Sequence, residues 1–237
     1  MKKSLHRANT RGIADHGWLK SKHSFSFASY HNPERMGFGL LKVLNDDQVS
    51  ASQGFGTHPH QDMEIVSIPL KGALKHKDSE GNQAVIRHGE VQLMSAGTGV
   101  FHSEYNNSEV EPVEFLQIWV MPEKLEIAPR YDQKSFDTEG RTNQWQTIVS
   151  PMDNSETGVK INQQAWFSLL DLKQNNKVNY QLRKPTNGVY FVLLEGELSV
   201  ADERLNSRDA LGLEDISSVP LTAHSDSQIL AIEVPMS

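Results

Sequence analysis

The sequence of 237 residues contains no cysteine. This absence excludes disulfide bonds, thiolate nucleophiles and every zinc site that uses cysteine as a ligand. Any metal ion that this chain binds must therefore be held by histidine, aspartate or glutamate side chains.

The chain also lacks long apolar runs and clusters of basic residues. No stretch of about 18 apolar residues occurs, and no apolar segment of signal-peptide length follows the basic N-terminal residues. We therefore expect a cytoplasmic protein with no membrane partner. The net charge is -7, and lysine and arginine are scattered along the chain, so we expect no direct binding to nucleic acid.

Short apolar segments rich in β-branched and aromatic residues are the main secondary-structure signal. Each is five to seven residues long and is bounded by turn-forming residues such as glycine. No long helical periodicity competes with them, and a strand spacing of roughly 8–12 residues is typical of a sandwich or barrel. We predict an all-β fold with strands at residues 64–70, 90–94, 115–121, 190–194 and 228–234.

A weak internal repeat predicts that this architecture occurs twice. Residues 65–81 and 189–205 share an apolar strand, a glycine, a second apolar strand and a polar turn. Each segment is typical of a hairpin that turns at its glycine, Gly72 or Gly196. The alternative is that any two antiparallel hairpins would share these features.

The segment between the two copies, residues 122–140, is polar and contains two prolines, which is typical of a linker. We therefore predict an N-terminal domain, residues 1–130, and a C-terminal domain, residues 131–237. Nine of the ten histidines lie at or before position 102, and the second half contains no H-x-H sequence. Metal chemistry is expected in the first domain alone.

Two pairs of residues are spaced as metal ligands on strands would be. His58 and His60 are separated by one residue, as are His102 and Glu104, and this spacing points both side chains of a pair to one face of a strand. Two antiparallel strands can then close a set of three nitrogens and one oxygen around an ion. Such a set favours Fe, Mn, Ni, Cu or Zn over Ca or Mg, and leaves coordination positions open.

Alternative interpretations exist for each part of this pattern. An H-x-H sequence can occur by chance, His102 can be a buried hydrogen-bonding residue, and Glu104 can be a solvated surface residue. Other histidines stand alone in polar or turn-like contexts, which predicts exposed or structural roles for His6, His16, His23, His31, His76 and His88. Apolar residues near the pairs could wall a cavity or form ordinary core: Phe55, Met63, Met94 and Phe101.

Both ligand pairs lie in segments that resemble the cupin motifs. The segment GFGTHPHQDME is similar to the first motif, with His58, His60 and Glu64 at its H-x-H-x3-E positions. The segment GEVQLMSAGTGVFHSEYN is similar to the second motif, with His102 and Asn106 at its H-x3-N positions.

Nearly the whole chain resembles bacterial pirin-like proteins of the kind assigned quercetin 2,3-dioxygenase activity. The resemblance runs from RANTRGIADHGWLKSKHSFSFASY through both cupin motifs to QIWVMPEK and PRYDQKSF. It implies a bicupin, with two β-barrel or jelly-roll domains in tandem. It also implies that Glu104, two residues after His102, is the fourth metal ligand in place of Glu64.

The resemblance implies a metal-dependent dioxygenase that opens the heterocyclic ring of a flavonol such as quercetin and releases carbon monoxide. One divalent transition metal ion would be the cofactor, with Fe(II) favoured and Mn, Ni, Cu or Zn as alternatives. The substrates would be a planar flavonol and dioxygen, and Glu104 or Glu64 would accept the proton of the flavonol hydroxyl. We expect a monomer. Two alternatives use the same site: a redox-responsive regulatory protein without turnover, and an isomerase or decarboxylase.

Overall fold

The computed structural model describes residues 1–237, and it confirms the predicted all-β fold. The five predicted strand segments coincide with the strands Glu64–Lys71, Glu90–Ser95, Val113–Val120, Asn187–Glu195 and Ser227–Pro235. Two short 3-10 helices, Ala8–Thr10 and Thr138–Arg141, have neither the length nor the apolar composition needed to cross a membrane. The strands are β1 Lys2–His6, β2 Gly12–Asp15, β3 Leu19–His23, β4 Leu41–Val49, β5 Gly54–His60, β6 Glu64–Lys71, β7 Ala73–Asp78, β8 Gln83–Arg87, β9 Glu90–Ser95, β10 Val100–Asn106, β11 Val113–Val120, β12 Arg130–Ser135, β13 Gln146–Pro151, β14 Val159–Ile161, β15 Trp166–Leu172, β16 Lys177–Gln181, β17 Asn187–Glu195, β18 Glu197–Val200, β19 Glu203–Asn206, β20 Ala210–Glu214, β21 Ser218–Ala223 and β22 Ser227–Pro235.

The strands form four sheets that make two similar barrels. In the first barrel a seven-stranded sheet, in the order β12-β9-β6-β11-β4-β3-β2, packs against a four-stranded sheet, β5-β10-β7-β8. In the second barrel the order is β1-β20-β17-β22-β15-β13-β14 in the large sheet and β16-β21-β18-β19 in the small one. The predicted bicupin architecture is therefore confirmed.

Each barrel includes one strand from the part of the chain that forms most of the other barrel. Strand β1 pairs with β20 in the second barrel, and β12 pairs with β9 in the first. The division into residues 1–130 and 131–237 stays a prediction, and these two pairings cross it.

The internal repeat corresponds to a corner between sheets, so the predicted hairpins are wrong. Strand β6 lies in the large sheet, whereas β7 pairs only with β8 and β10 in the small one. The chain changes sheets at Gly72, which has a φ of +77°, and it does the same between β17 and β18 at Gly196, where φ is +97°. Glycine suits both corners because other residues rarely adopt positive φ. The repeat thus marks the same corner in both barrels.

Apolar side chains fill the second barrel and the contact between the two barrels. Strand β17 shows the pattern, because Phe191 and Leu193 belong to a 17-residue cluster inside the second barrel, whereas Tyr190 and Val192 belong to a 25-residue cluster that joins the two large sheets. A strand buried on both faces reads as a continuous apolar run, as residues 190–194 do.

The interior of the first barrel is different, because a row of polar side chains crosses it. The row occupies neighbouring register positions on five adjacent strands, β9, β6, β11, β4 and β3. All five side chains are buried, and small apolar clusters of six and four buried residues complete the interior. Burying this many polar groups is unfavourable unless they find partners, so the first barrel is the half built to hold a polar site. We call these residues the polar row: Gln92, Ser67, Gln117, Asn45 and His23.

Candidate metal centre

The structure brings His58, His60 and His102 together at one end of the small sheet of the first barrel. His102 on β10 lies directly opposite His58 in the antiparallel pairing with β5. One nitrogen of each ring lies within 4.8 Å of the other two, and the ring centroids are 4.4–4.8 Å apart. The i, i+2 spacing of the histidine pair therefore places both rings at the same edge of the barrel.

The hydrogen bonding of these rings leaves nitrogens free to bind an ion. His58 Nδ1 lies 2.8 Å from the carbonyl oxygen of Gly56. Donation by Nδ1–H leaves the Nε2 lone pair available, which is how metal-bound histidines are commonly oriented. His102 is buried, and neither of its ring nitrogens has a hydrogen-bond partner. A buried imidazole without partners is unfavourable, so the chemistry of this donor set fits a divalent transition metal ion.

The protonation states of the rings also suit metal binding. Burial, reinforced by repulsion from His58, lowers the pKa of His60 to about 4. Burial and the neighbouring histidines lower the pKa of His102 to about 2. Both rings are therefore neutral at neutral pH, and metal ligation requires the neutral form.

Glu104 lies next to His102 on the inner face of β10, beyond a shift of the strand register between the two residues. Its carboxylate is buried, and its oxygens lie 2.8 Å from Gln117 Nε2 and 3.1 Å from Ser67 Oγ. Burial raises the pKa of Glu104 to about 7, and the charge of Asp47 acts in the same direction. The structure groups Glu104 with His102 and His76 within 4.8 Å. It places Glu104 beside the three-histidine cluster with its carboxylate held by the polar row.

His76, also in this region, has both ring nitrogens engaged. Its Nδ1 lies 3.0 Å from Gln92 Nε2, and its Nε2 lies 3.1 Å from an oxygen of Asp78. Because Gln92 donates to one nitrogen and Asp78 accepts from the other, no lone pair is left for an ion. His76 therefore has a structural role, as its sequence context indicates. Of the other isolated histidines, His6 and His23 are buried and His16, His31 and His88 are exposed.

The structure does not bring Glu64 into the cluster. One of its oxygens accepts hydrogen bonds from Ser95 Oγ at 2.9 Å and from the backbone nitrogen of Asn162 at 3.1 Å. Burial raises the pKa of this carboxyl. Asn162 follows β14 of the second barrel, so Glu64 links the two barrels. Asn106 is likewise structural, because its amide donates to the carbonyl oxygens of Val49 and Glu111.

A cavity of about 610 Å³, open to solvent, adjoins the cluster. Its wall includes His58 and Glu104, three residues of the polar row, and the aromatic side chains of Phe27, Phe55 and Trp119. Trp119 packs edge-to-face on His60, with centroids 4.9 Å apart, and its indole nitrogen is buried without a partner. Aromatic walls with a few convergent polar groups are typical of small-molecule sites.

The sequence interpretation identified few of the residues that wall this cavity. Phe55 does so, but Met94 and Met63 belong to or pack against an apolar cluster, and Phe101 is 56% exposed. The polar row and Trp119 were missed. The sequence contains a signal for one of these residues, because Gln117 interrupts the otherwise apolar strand segment FLQIWVM.

Comparisons with known proteins agree with this architecture. A family model described as Pirin matches residues 5–120, and one described as the quercetinase C-terminal cupin domain matches residues 147–234. The chain is 41% identical over 236 residues to a protein of Escherichia coli (strain K12) named quercetin 2,3-dioxygenase, and the match covers 98% of each chain. The chain belongs to the pirin family. The predicted family is confirmed.

Other pirins show the same likeness. The chain is 39% identical over 222 residues to a pirin-like protein of Caulobacter vibrioides, with 94% of this chain and 95% of the relative covered. A crystal structure of the bacterial pirin YhhW from Escherichia coli in complex with nickel(II) superposes with a TM-score of 0.93 at 39% identity, covering 100% of both chains. This pirin thus has two cupin domains and, in the first, a cluster of histidine and glutamate side chains able to hold a metal ion.

Proposed function

We propose that this pirin is a metal-dependent dioxygenase that cleaves flavonols such as quercetin and releases carbon monoxide. The observation that carries the proposal is the buried His102 ring, whose two nitrogens lack partners, next to a cavity with aromatic walls. Relatives named quercetin 2,3-dioxygenase support the same activity. We still predict that the protein is a monomer in solution and that it does not bind nucleic acid.

We assign His58, His60, His102 and Glu104 as the ligands of one divalent transition metal ion. Three imidazoles and one carboxylate match the preferences of Fe(II), our favoured ion, and of Mn, Ni, Cu and Zn. When bound, such an ion acidifies a coordinated hydroxyl and makes reaction with dioxygen accessible. The neutral rings and the free lone pair of His58 are the features of this chain that prepare the site.

The remaining residues of the cavity orient the substrate and control its proton. Phe27, Phe55 and Trp119 offer aromatic surfaces to a planar ring system and displace water from it. We assign Glu104 as the acceptor of the flavonol hydroxyl proton, with Ser67 and Gln117 fixing its carboxylate. Glu64 was the alternative, but its carboxylate is directed to Ser95 and Asn162 instead.

Turnover of quercetin tests this function directly. Protein reconstituted in turn with Fe(II), Mn(II), Ni(II), Cu(II) and Zn(II) is expected to consume dioxygen and bleach the flavonol absorbance with at least one ion. A flavone that lacks the 3-hydroxyl is the matched control and is expected to remain unchanged, because it has no proton to lose at the metal. Binding of every ion without oxygen consumption would contradict the dioxygenase and favour the regulatory alternative.

Metal affinity is expected to rise with pH through about 7. Glu104, with its pKa raised to about 7, must lose a proton before it can bind an ion, whereas His60 and His102 are already neutral there. Below this pH the affinity should fall by up to about tenfold per unit. Calorimetric titration of the metal-free protein with Ni(II) at several pH values measures this. Glu104→Gln is expected to bind more weakly and to lose the dependence near pH 7, and an unchanged dependence would remove Glu104 from the ligand set.

A further inference from the structure

A second polar surface, formed by β3 and β4, lines the same cavity as the metal cluster. Ser21 lies beside Asp47 in the register of these strands, and His23 lies beside Asn45. All four side chains are buried, and all four line the cavity. None of them belongs to either group of possible metal ligands, the three-histidine cluster or the group that contains Glu104. They therefore form a set of cavity-facing groups to which the proposed chemistry at the metal gives no role.

Asp47 contributes the one carboxyl group of this surface. Its Oδ1 accepts a hydrogen bond from Ser21 Oγ, and its Oδ2 accepts none. Oδ2 is not sealed inside the protein, because it is absent from the fully occluded atoms without partners, and the residue borders the cavity. The nearby arginines Arg11 and Arg208 pair with Asp46 and not with Asp47, and burial raises the pKa of Asp47 to about 7. An uncompensated buried carboxyl is unfavourable unless a donor reaches it.

His23 presents a second acceptor to the same space. Its Nδ1 lies 2.8 Å from Asn45 Oδ1, so Nδ1 carries the hydrogen and donates it. The Nε2 atom is then an acceptor, and it has no partner within the protein and is not occluded. Burial lowers the pKa of His23, which keeps the ring neutral. The ring also packs near Phe27, with centroids 5.3 Å apart, so the acceptor stands next to an aromatic surface.

We propose that Asp47 and His23 form a hydroxyl-recognition subsite for a polyhydroxylated aromatic substrate. The inference rests on the proposed function, because it assumes that the reacting hydroxyl of the same molecule is held at the metal cluster. Two acceptors beside aromatic walls are complementary to phenolic O–H groups on a planar ring. A substrate without those hydroxyls leaves the two acceptors buried and unpaired. A site that binds substrate hydroxyls therefore discriminates against an analogue that lacks them far more strongly than an apolar pocket does.

The subsite is tested by binding under anaerobic conditions, where turnover cannot interfere. Metal-loaded protein is titrated with quercetin and with 3-hydroxyflavone, which keeps only the hydroxyl at position 3, and quenching of tryptophan fluorescence gives each Kd. The unmodified protein is expected to bind quercetin at least about tenfold more tightly. Asp47→Asn, compared at saturating metal because Asp47 also raises the pKa of Glu104, is expected to weaken quercetin binding about tenfold and to leave 3-hydroxyflavone binding unchanged. His23→Phe, an independent variant that retains a ring, is expected to reduce the same preference.

The control is Asp202→Asn, which makes the same aspartate-to-asparagine change at an exposed turn of the second barrel. It is expected to bind quercetin and 3-hydroxyflavone as tightly as the unmodified protein does. Equal binding of quercetin by the unmodified, Asp47→Asn and His23→Phe proteins would overturn the subsite while leaving the dioxygenase intact. Equal weakening of both ligands would also overturn it, because the substitutions would then act on the fold or the metal site. If the unmodified protein binds neither ligand and consumes no oxygen, the proposed function fails and the subsite fails with it.

Discussion

His102→Ala is expected to lose tightly bound metal and all flavonol-dependent oxygen consumption. The ring is buried, lies opposite His58 across the strand pairing, and has no hydrogen-bond partner that could compensate for an absent ion. Altering only the supporting partners of a ligand already lowers metal affinity by about 10–100-fold, so removing the ligand itself is expected to lower it by at least ~100-fold. Metal content after dialysis and oxygen consumption with quercetin are the measurements.

The control for this variant is His31→Ala, which removes an exposed imidazole and is expected to change neither quantity. His58→Ala is expected to behave like His102→Ala, because His58 is a second of the three proposed nitrogen ligands. Full metal retention in both ligand variants would show that the ion is held elsewhere, and the assignment of this centre would be wrong.

Gly54→Ala is expected to lower the stability of the fold and to weaken metal binding at the same time. A Cβ atom on Gly54 would lie 2.3 Å from the carbonyl oxygen of Glu104 and 2.5 Å from the Cα atom of Tyr105. Both contacts are to backbone, so β5 and β10 must separate where they carry the proposed ligands. Such overpacking costs about 2–3 kcal/mol, which corresponds to a drop in Tm of roughly 5–10 °C for a chain of this size. Thermal unfolding and nickel titration measure the two effects.

Gly56→Ala provides the matched control on the same strand. The nearest atom to a Cβ at this position is Tyr105 Oη at 3.9 Å, an ordinary contact. The same methyl group is therefore expected to leave Tm and metal affinity nearly unchanged. Similar results for the two variants would mean that close approach of the strands does not fix the positions of the ligands.

The ligand cluster could be predicted because alternation in a strand is a local property. Strand β10 alternates strictly, with His102 and Glu104 buried and Phe101 and Tyr105 more exposed. The reasoning that placed the two ligand candidates on one face also places Phe101 on the other. Both alternatives offered for Phe101, a cavity wall and ordinary core, are therefore inconsistent with the pattern that identified the candidate ligands.

Other features could not be predicted because they depend on pairings between distant segments. The polar row arises only when five strands align so that Ser67, Gln117 and Asn45 become neighbours. The repeated glycines at positions 72 and 196 mark corners and not hairpins, because the partners of the strands that follow lie elsewhere in the sequence. A one-residue change of register would turn every side chain to the opposite face, and local composition does not set that register.

The exchange of β1 and β12 between the barrels makes each half of the molecule incomplete without the other. A fragment that ended before Arg130 would expose the edge of β9, and a fragment that began there would leave the edge of β20 unpaired. Unprotected edges of this kind invite association with other chains. Each barrel therefore needs a strand from the other part of the chain to cover one edge of its large sheet.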